Sequence, residues 1–259
     1  MSIALTIAII LYVITSLYTP EFDVSVGVVE LKDEFLLPLP NKVTSLTVEE
    51  AILLRKSIRE WSNKPLTLEQ LSMLLWSTQG VVEYVGGWLR RAAPSAGATY
   101  PLEIYVVIGS NSVALGDGKF LPAGSYKYDF RRHSIRLVKE GDLRSNLYEA
   151  TYWQDWVGDA PISIVISAVY ERTTSRYGER GIRYVVLEAG HVGQNIYLMA
   201  TALGLGTVAI GAFNDKEVAM VIGVKRGEEI LYIFPVGVPL KPHRASFDDI
   251  HAIYSRLRR

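Results

Sequence analysis

The sequence has no cysteine among its 259 residues. This absence excludes disulfide bonds, thiolate zinc sites, cysteine-ligated iron–sulfur clusters and cysteine nucleophiles. A net charge is missing as well, because 27 lysines and arginines are balanced by 27 aspartates and glutamates. That balance argues against nucleic acid as a partner, since proteins that bind nucleic acid depend largely on positive charge.

Several motifs that carry chemistry are also missing. There is no Walker A loop and no HExxH motif, and the four histidines are scattered, so we predict no metal site. Gly204, Gly206 and Gly211 follow a predicted helix, whereas the dinucleotide fingerprint GxGxxG stands between a strand and a helix. Ser95 lies in Pro-Ser-Ala-Gly, outside the GxSxG turn of serine hydrolases. These motifs therefore identify no catalytic side chain.

Residues 1–20 carry no charged side chain, and Ile3–Leu17 is almost continuously apolar. A helix that spans a membrane needs about 17–25 mostly apolar residues, so we expect a membrane anchor here, of undetermined orientation. A cleaved leader and a buried start are the alternatives, although a leader usually has Lys or Arg before its apolar run. Residues 21–45 are predicted to form a linker, and residues 46–259 one globular domain.

Within that domain, helical and strand patterns are interleaved. Thr47-Val-Glu-Glu50 and Thr67-Leu-Glu-Gln70 are capping boxes, each of which predicts the start of a helix. A hairpin is expected within residues 125–139, and a long helix over 182–203 is apolar almost all round and therefore expected to be central. Further strands are predicted at 103–108, 162–169, 208–210 and 230–236, and further helices at 142–153, 215–222 and 247–257. The pattern predicts an α+β fold with a mixed sheet.

Four regions combine residues that suit a phosphorylated, planar ligand. Arg55–Arg59 holds two arginines, a lysine and a serine, which suit a phosphate, or else it is a solvated basic helix end. The small residues of Ala93–Ala98 allow close approach of the backbone to a flat ligand, or form an ordinary loop. In Glu188–Phe213, polar groups lie on an otherwise apolar helix, which a glycine-rich stretch follows. Gly237–Arg244 is a turn with basic residues. Each region alone also fits a purely structural role.

Seven short motifs occur in order between residues 36 and 244. They are Leu37-Pro-Leu-Pro40, Leu74-Leu-Trp-Ser-Thr-Gln-Gly80, Pro94-Ser-Ala-Gly-Ala-Thr-Tyr-Pro101, Gly124-Ser-Tyr-Lys-Tyr128, Ala160-Pro161, Arg183-Tyr184 and Leu187-Glu-Ala-Gly-His191. In this order and spacing the chain resembles the nitroreductase-like flavoproteins, and more closely their SagB/ThcOx-type dehydrogenase branch. The resemblance implies a nitroreductase-like α+β fold, with a mostly antiparallel central sheet flanked by helices.

The resemblance further implies noncovalently bound FMN and a homodimer with both flavins at the subunit interface. By position, the residues similar to the family's flavin contacts are Arg55, Ser57, Arg59, Pro94, Ser95, Ala96, Gln154, Glu188, His191, Ala209, Ile210, Gly211, Lys241 and Arg244. Those at 55–59 and 241–244 would contact the phosphate, those at 94–96 would come from the partner subunit, and those at 209–211 would face flavin N5. Trp153, Trp156, Tyr100 and Tyr126 are candidates to line the substrate pocket.

The function expected from this resemblance is FMN-dependent hydride transfer by ping-pong chemistry, with NAD(P)H as electron donor and an organic small molecule as acceptor. No catalytic side chain is assigned, because the flavin performs the chemistry. A flavin- or ligand-binding module without turnover is one alternative, although the intact set of Arg55, Ser57 and Arg59 argues against loss of the flavin. Two enzymatic alternatives also remain open. One is azoline dehydrogenation in modified peptides, which the family links to a Lys–Tyr pair such as Lys127-Tyr128. The other is a membrane-linked flavoprotein that reduces a quinone, which the apolar segment 1–20 would suit.

Overall fold

A computed structural model describes residues 30–31 and 33–259. The predicted anchor at residues 1–20 and most of the first half of the predicted linker lie outside the described residues. Within the part that is described, no helix combines the length and apolar character needed to cross a membrane.

Thirteen strands are found in the described residues. They are β1 (Glu30–Leu31), β2 (Glu34–Leu36), β3 (Leu66–Thr67), β4 (Val81–Val85), β5 (Trp88–Arg91), β6 (Leu102–Ile108), β7 (Val113–Gly116), β8 (Lys119–Phe120), β9 (Gly124–Asp129), β10 (Ser134–Glu140), β11 (Ile162–Ala168), β12 (Gly206–Thr207) and β13 (Glu229–Gly237). Eight of them form the main sheet in the order β1-β2-β10-β9-β6-β11-β13-β12. Every neighbouring pair in this sheet is antiparallel, and the parallel pair β3–β7 belongs to a small separate sheet.

Eight α-helices surround the sheet in the described part of the chain. They are α1 (Val48–Leu54), α2 (Leu68–Gln79), α3 (Arg144–Ala150), α4 (Asp155–Gly158), α5 (Glu171–Tyr177), α6 (Arg180–Ala202), α7 (Asp215–Ile222) and α8 (Phe247–Leu257). Both predicted capping boxes are confirmed, since Thr47 and Thr67 each accept a hydrogen bond from the third helical residue, whose side chain bonds back. The predicted α+β class with a mostly antiparallel sheet is confirmed.

The core lies on both faces of the sheet, because β11 is buried at every residue and β6 at all but Glu103. Along β6, Ile104 and Val106 face one apolar cluster, which includes α2 and α6, while Tyr105 and Val107 face the other, which includes α3 and α7. The two-residue period of a strand produces this division. At the contact of α6 with β13, a Cβ on Gly193 would lie 2.7 Å from Cζ of Phe234, so the helix approaches the sheet only because residue 193 is glycine.

Four differences from the sequence-based expectation bear on the site and its surroundings. The long helix α6 is not apolar and buried all round, because Ile182, Val186 and Leu187 are each about half exposed. Part of the predicted linker instead packs into the domain, because β2 pairs with β10 and Phe35 packs edge-on against Tyr126. The strand predicted at 208–210 lies earlier, at 206–207, and the hairpin β4–β5 was not predicted.

Candidate functional site

The basic segment after α1 is held between two strand ends. Ile58 N donates to Thr207 O at 3.0 Å, Ser62 N donates to Val238 O at 2.8 Å, and Leu240 N donates to Glu60 O at 3.0 Å. Residues 55–62 therefore run from the end of β12 to the segment after β13, next to exposed Lys241. Three of the four regions singled out in the sequence meet here.

Tyr197 of α6 joins these regions through its hydroxyl. Ala209 N donates to Tyr197 Oη at 2.9 Å, and the same hydroxyl lies 2.9 Å from Ser57 Oγ. Because Tyr197 Oη accepts from Ala209, its own proton can go to Ser57, which leaves the Ser57 proton available to a ligand. The guanidinium of Arg55 lies 5.2 Å from the centre of the Tyr197 ring. Sequence reasoning missed Tyr197, which looks like any aromatic residue on an apolar helix.

Within the stretch Ala209–Gly211, Ile210 is held by backbone hydrogen bonds to β13, whereas Gly211 is exposed to solvent. Ile210 exchanges two backbone hydrogen bonds with Ile233, at 2.8 and 3.1 Å. Gly211 is exposed, a Cβ built there meets no atom within 4 Å, and its amide donates to no group in the described part of the chain. Gln154 Nε2 donates to Ala212 O at 2.9 Å and to Thr151 O at 2.8 Å, so its amide nitrogen braces this stretch.

Arg59 lies beside a large surface cavity of about 1070 Å³. Its guanidinium stacks over the ring of Trp156 at 5.3 Å, and Trp61 Nε1 donates to Trp156 O at 2.9 Å. Asp142 and Arg144 also line this cavity as an ion pair at 2.6 Å, and the Arg144 hydrogen bond lowers the pKa of Asp142.

Trp153 is exposed, and Tyr126 is fully buried in the core. Of the four predicted pocket aromatics, Trp156 lies at this cavity.

The loop around Pro94–Ala96 lies on the N-terminal half of α6. Ser95 Oγ accepts from Tyr100 N at 2.9 Å. The backbone adopts positive φ at Gly97, Ala98 and Tyr100, a conformation that non-glycine residues rarely take. Contacts with neighbouring elements must hold the loop in this backbone conformation. One of them is the hydrogen bond from Arg176 Nη1 to Gly97 O, at 3.0 Å.

Glu188 is buried beneath this loop, with 3% of its surface exposed. Gln79 Nε2 donates to Glu188 Oε1 at 3.3 Å. Burial raises the pKa of Glu188 to about 6, an effect only partly offset by hydrogen bonds from Ser95 and Gln79 and by the charge of Arg91. His191, three residues further along α6, is exposed instead.

The predicted site residues thus form two groups within one chain. One group surrounds Tyr197 and contains Arg55, Ser57, Arg59, Gln154 and residues 209–211, with Lys241 and Arg244 exposed on the adjoining segment. The other group surrounds Glu188 and contains Pro94, Ser95 and Ala96. Tyr197 lies nine positions after Glu188, which corresponds to about 14 Å along α6. The described residues contain no group of three or more side chains suited to a metal ion.

Comparison with known proteins identifies the family of the chain. The profile of the nitroreductase family matches residues 52–238. A Methanocaldococcus jannaschii protein provisionally named a nitroreductase is 43% identical over 205 residues, which cover 79% of this chain and 97% of that protein. A crystal structure from Ralstonia eutropha, also provisionally named a nitroreductase, is 30% identical with a TM-score of 0.68, covering 83% of this chain and 94% of that one.

A third relative is the microcin B17-processing protein McbC of Escherichia coli. It is 27% identical over 136 residues, which cover 51% of this chain and 48% of McbC. The matched family profile spans most of the chain, including the segment after α1 and the glycine-rich stretch near Tyr197. The chain belongs to the nitroreductase family and is an oxidoreductase.

Proposed function

We propose that this oxidoreductase binds FMN and transfers hydride by ping-pong chemistry from NAD(P)H to an organic small molecule. The observation that carries the proposal is the convergence of the Arg55–Arg59 segment and the open Ala209–Gly211 stretch on Tyr197. When bound, FMN supplies the hydride chemistry, and the protein supplies binding, orientation and electrostatics.

The residues around Tyr197 fit the two ends of such a cofactor. Arg55, Ser57 and Arg59 supply two cations and a hydroxyl proton for the phosphate, with Lys241 and Arg244 on the adjoining segment. Among the described residues, the Gly211 amide has no partner and no side chain occupies the space beside it, as a flat ring requires. Ala209 and Ile210 hold this amide in place through Tyr197 and Ile233. The arrangement therefore suits a phosphate at one end and a hydrogen-bond acceptor at the other.

Pro94, Ser95 and Ala96 would complete the site from a second subunit in a homodimer. The exposed apolar side chains of Ile182, Val186 and Leu187 on α6 support this assignment, because such a face is more stable when it is covered. Val186→Glu should produce monomers in light scattering and should lower flavin retention. A monomeric wild type that keeps its flavin would exclude the proposed interface.

The direct test is the visible absorption spectrum of the purified protein before and after addition of NADH or NADPH. A bound flavin spectrum that bleaches supports both cofactor and donor. A flavin that stays oxidised points to another reductant. A colourless protein that does not take up added FMN would refute the proposal.

A second candidate function is azoline dehydrogenation in a modified peptide, which the similarity to McbC favours. The pair Lys127-Tyr128 does not favour it. The Lys127 ammonium is 3.0 Å from carboxylates of both Glu103 and Glu228, whereas Tyr128 Oη bonds to His133 Nδ1 at 2.8 Å. Neighbouring residues of a strand face opposite sides, so these two groups do not act on one bond. Mass spectrometry of an azoline peptide incubated with the protein tests this function, since oxidation removes two hydrogens per ring.

We also propose that residues 1–20 attach the enzyme to a membrane, where a quinone would be an accessible acceptor. The support is their uncharged, apolar sequence. The full chain should sediment with membranes, and a variant lacking residues 1–20 should not. Equal rates of quinone reduction by the two proteins would exclude a role of the segment in acceptor choice.

A further inference from the structure

A second cavity, of about 760 Å³, lies between the hairpin β4–β5, the start of β6 and the end of β9. None of the residues assigned above to FMN lines it. Its walls include the aromatic rings of Tyr84, Trp88, Tyr100 and Phe130. Its size is that of a small-molecule site, and its aromatic lining suits a planar, apolar body.

Arg91 stands out among the charged groups of this cavity. Its guanidinium lies between two aromatic rings, 3.6 Å from the centre of Phe130 and 4.2 Å from the centre of Tyr100. The rings hold the guanidinium flat without using its hydrogen-bond donors. Its Nη1 donates to Gln79 Oε1 at 3.4 Å, and its buried Nε has no partner within the described part of the chain.

Most of the other charged side chains that line this cavity are neutralised by ion pairs. Both carboxylate oxygens of Glu103 are engaged, one by Lys127 at 3.0 Å and the other by Arg172. Arg90 pairs with Glu83 at 2.7 Å. Arg91 and the exposed Arg131 form no ion pair within the described residues, and the cavity therefore carries an excess of positive charge.

The charge of Arg91 is also poorly solvated. Burial lowers its pKa to about 10, although Tyr100, Glu103 and Glu188 act in the opposite direction. The group stays protonated at neutral pH, with unused donors in a partly desolvated place. An anion with two oxygens in one plane matches the spacing of guanidinium donors.

We propose that this cavity binds a small aromatic carboxylate, whose carboxylate is held by Arg91 and whose ring packs against the aromatic walls. The cavity adjoins the loop that follows Pro94–Ala96, because Ser95 bonds to Tyr100. A ligand there lies beside the segment proposed to line the flavin. The binding itself does not depend on the proposed flavin chemistry.

Isothermal titration of the purified full chain with benzoate, and with benzamide as a neutral analogue of the same shape, tests the proposal. Wild type should bind benzoate at least about tenfold more tightly than benzamide, which is the effect of a hydrogen bond to a charged group. Arg91→Gln should lose this preference and leave benzamide binding unchanged. Arg226→Gln, which changes the same charge at a residue that does not line the cavity, should behave as wild type.

Arg91→Lys is the second variant, because it keeps the positive charge and guards against a folding defect in Arg91→Gln. It should bind benzoate with intermediate affinity, since lysine lacks the planar fork. The proposal is overturned if wild type does not bind benzoate, if it binds benzamide equally well, or if both Arg91 variants keep the wild-type preference. The FMN proposal has its own readout in the visible spectrum, so the two can fail separately.

Discussion

Replacement of Glu188 by glutamine should stabilise the protein at neutral pH. Burial raises the pKa of this carboxyl from 4.5 to about 6 in the folded chain. Since a tenfold change in proton affinity corresponds to about 1.4 kcal/mol, the ionised carboxylate destabilises the folded state by about 2 kcal/mol above pH 6. Between about pH 4.5 and 6 the folded state binds more protons than the unfolded state, so this contribution to the free energy of unfolding falls as pH rises. Below pH 4.5 it vanishes.

The assay is urea unfolding of wild type and Glu188→Gln, followed by circular dichroism at about pH 4 and about pH 7.5. The free energy of unfolding of the variant minus that of wild type should be about 2 kcal/mol larger at the higher pH than at the lower pH. The variant-minus-wild-type difference is compared at the two pH values. Any effect of replacing the carboxyl by an amide that does not depend on pH is the same at both values and therefore cancels. Glu149→Gln, at an exposed glutamate of α3, is the control and should show no such change. A difference that does not vary with pH would refute the argument from burial.

Three further predictions concern other residues. Arg59→Ala should weaken FMN binding by about 1.5–3 kcal/mol, which is the scale of a hydrogen bond between charged groups. Unchanged flavin occupancy after dialysis would count against the phosphate site. In the FMN-free form, Gly211→Val should melt at the same temperature as wild type, because a Cβ meets no protein atom there, yet it should fail to bind FMN. A variant with normal flavin content and redox potential would contradict this. Burial lowers the pKa of His133 from 6.5 to about 4, so the free energy of unfolding should fall by about 3 kcal/mol as pH drops through that window. His133→Asn, in which asparagine tolerates the positive φ of this position, should flatten that part of the profile.

Local signals in the sequence predicted the local structure well. The capping boxes at Thr47 and Thr67 fix helix starts through side chains three residues apart, so no distant contact is needed. The bounds of α7 and α8 agree with those predicted, since a side-chain cap at Asn214 or Ser246 precedes each helix. Each of these features depends on neighbours within one turn.

The faces of α6 and the members of the site could not be predicted in the same way. An apolar residue such as Val186 looks the same in sequence whether it faces the core or an exposed surface. Tyr197 and Ser57 are 140 residues apart, and Gln79 and Glu188 are 109 apart. Such contacts depend on the register of whole elements in the sheet. The family resemblance supplied positions that periodicity could not, but it did not single out Tyr197 or Arg91.

Part-buried Tyr197 and buried Glu188, two polar side chains of α6, differ in how well their hydrogen bonds offset the cost of burial. Tyr197 makes two hydrogen bonds of 2.9 Å, and its loss would leave the Ala209 amide without this acceptor. The Tyr197 hydroxyl therefore has a structural role, because it accepts the hydrogen bond of the Ala209 amide. Glu188 has a 3.3 Å hydrogen bond from Gln79, and its charge costs stability at neutral pH. Glutamine keeps the shape of the side chain without its charge, so Glu188→Gln separates the cost of the buried charge from the packing at this end of the helix.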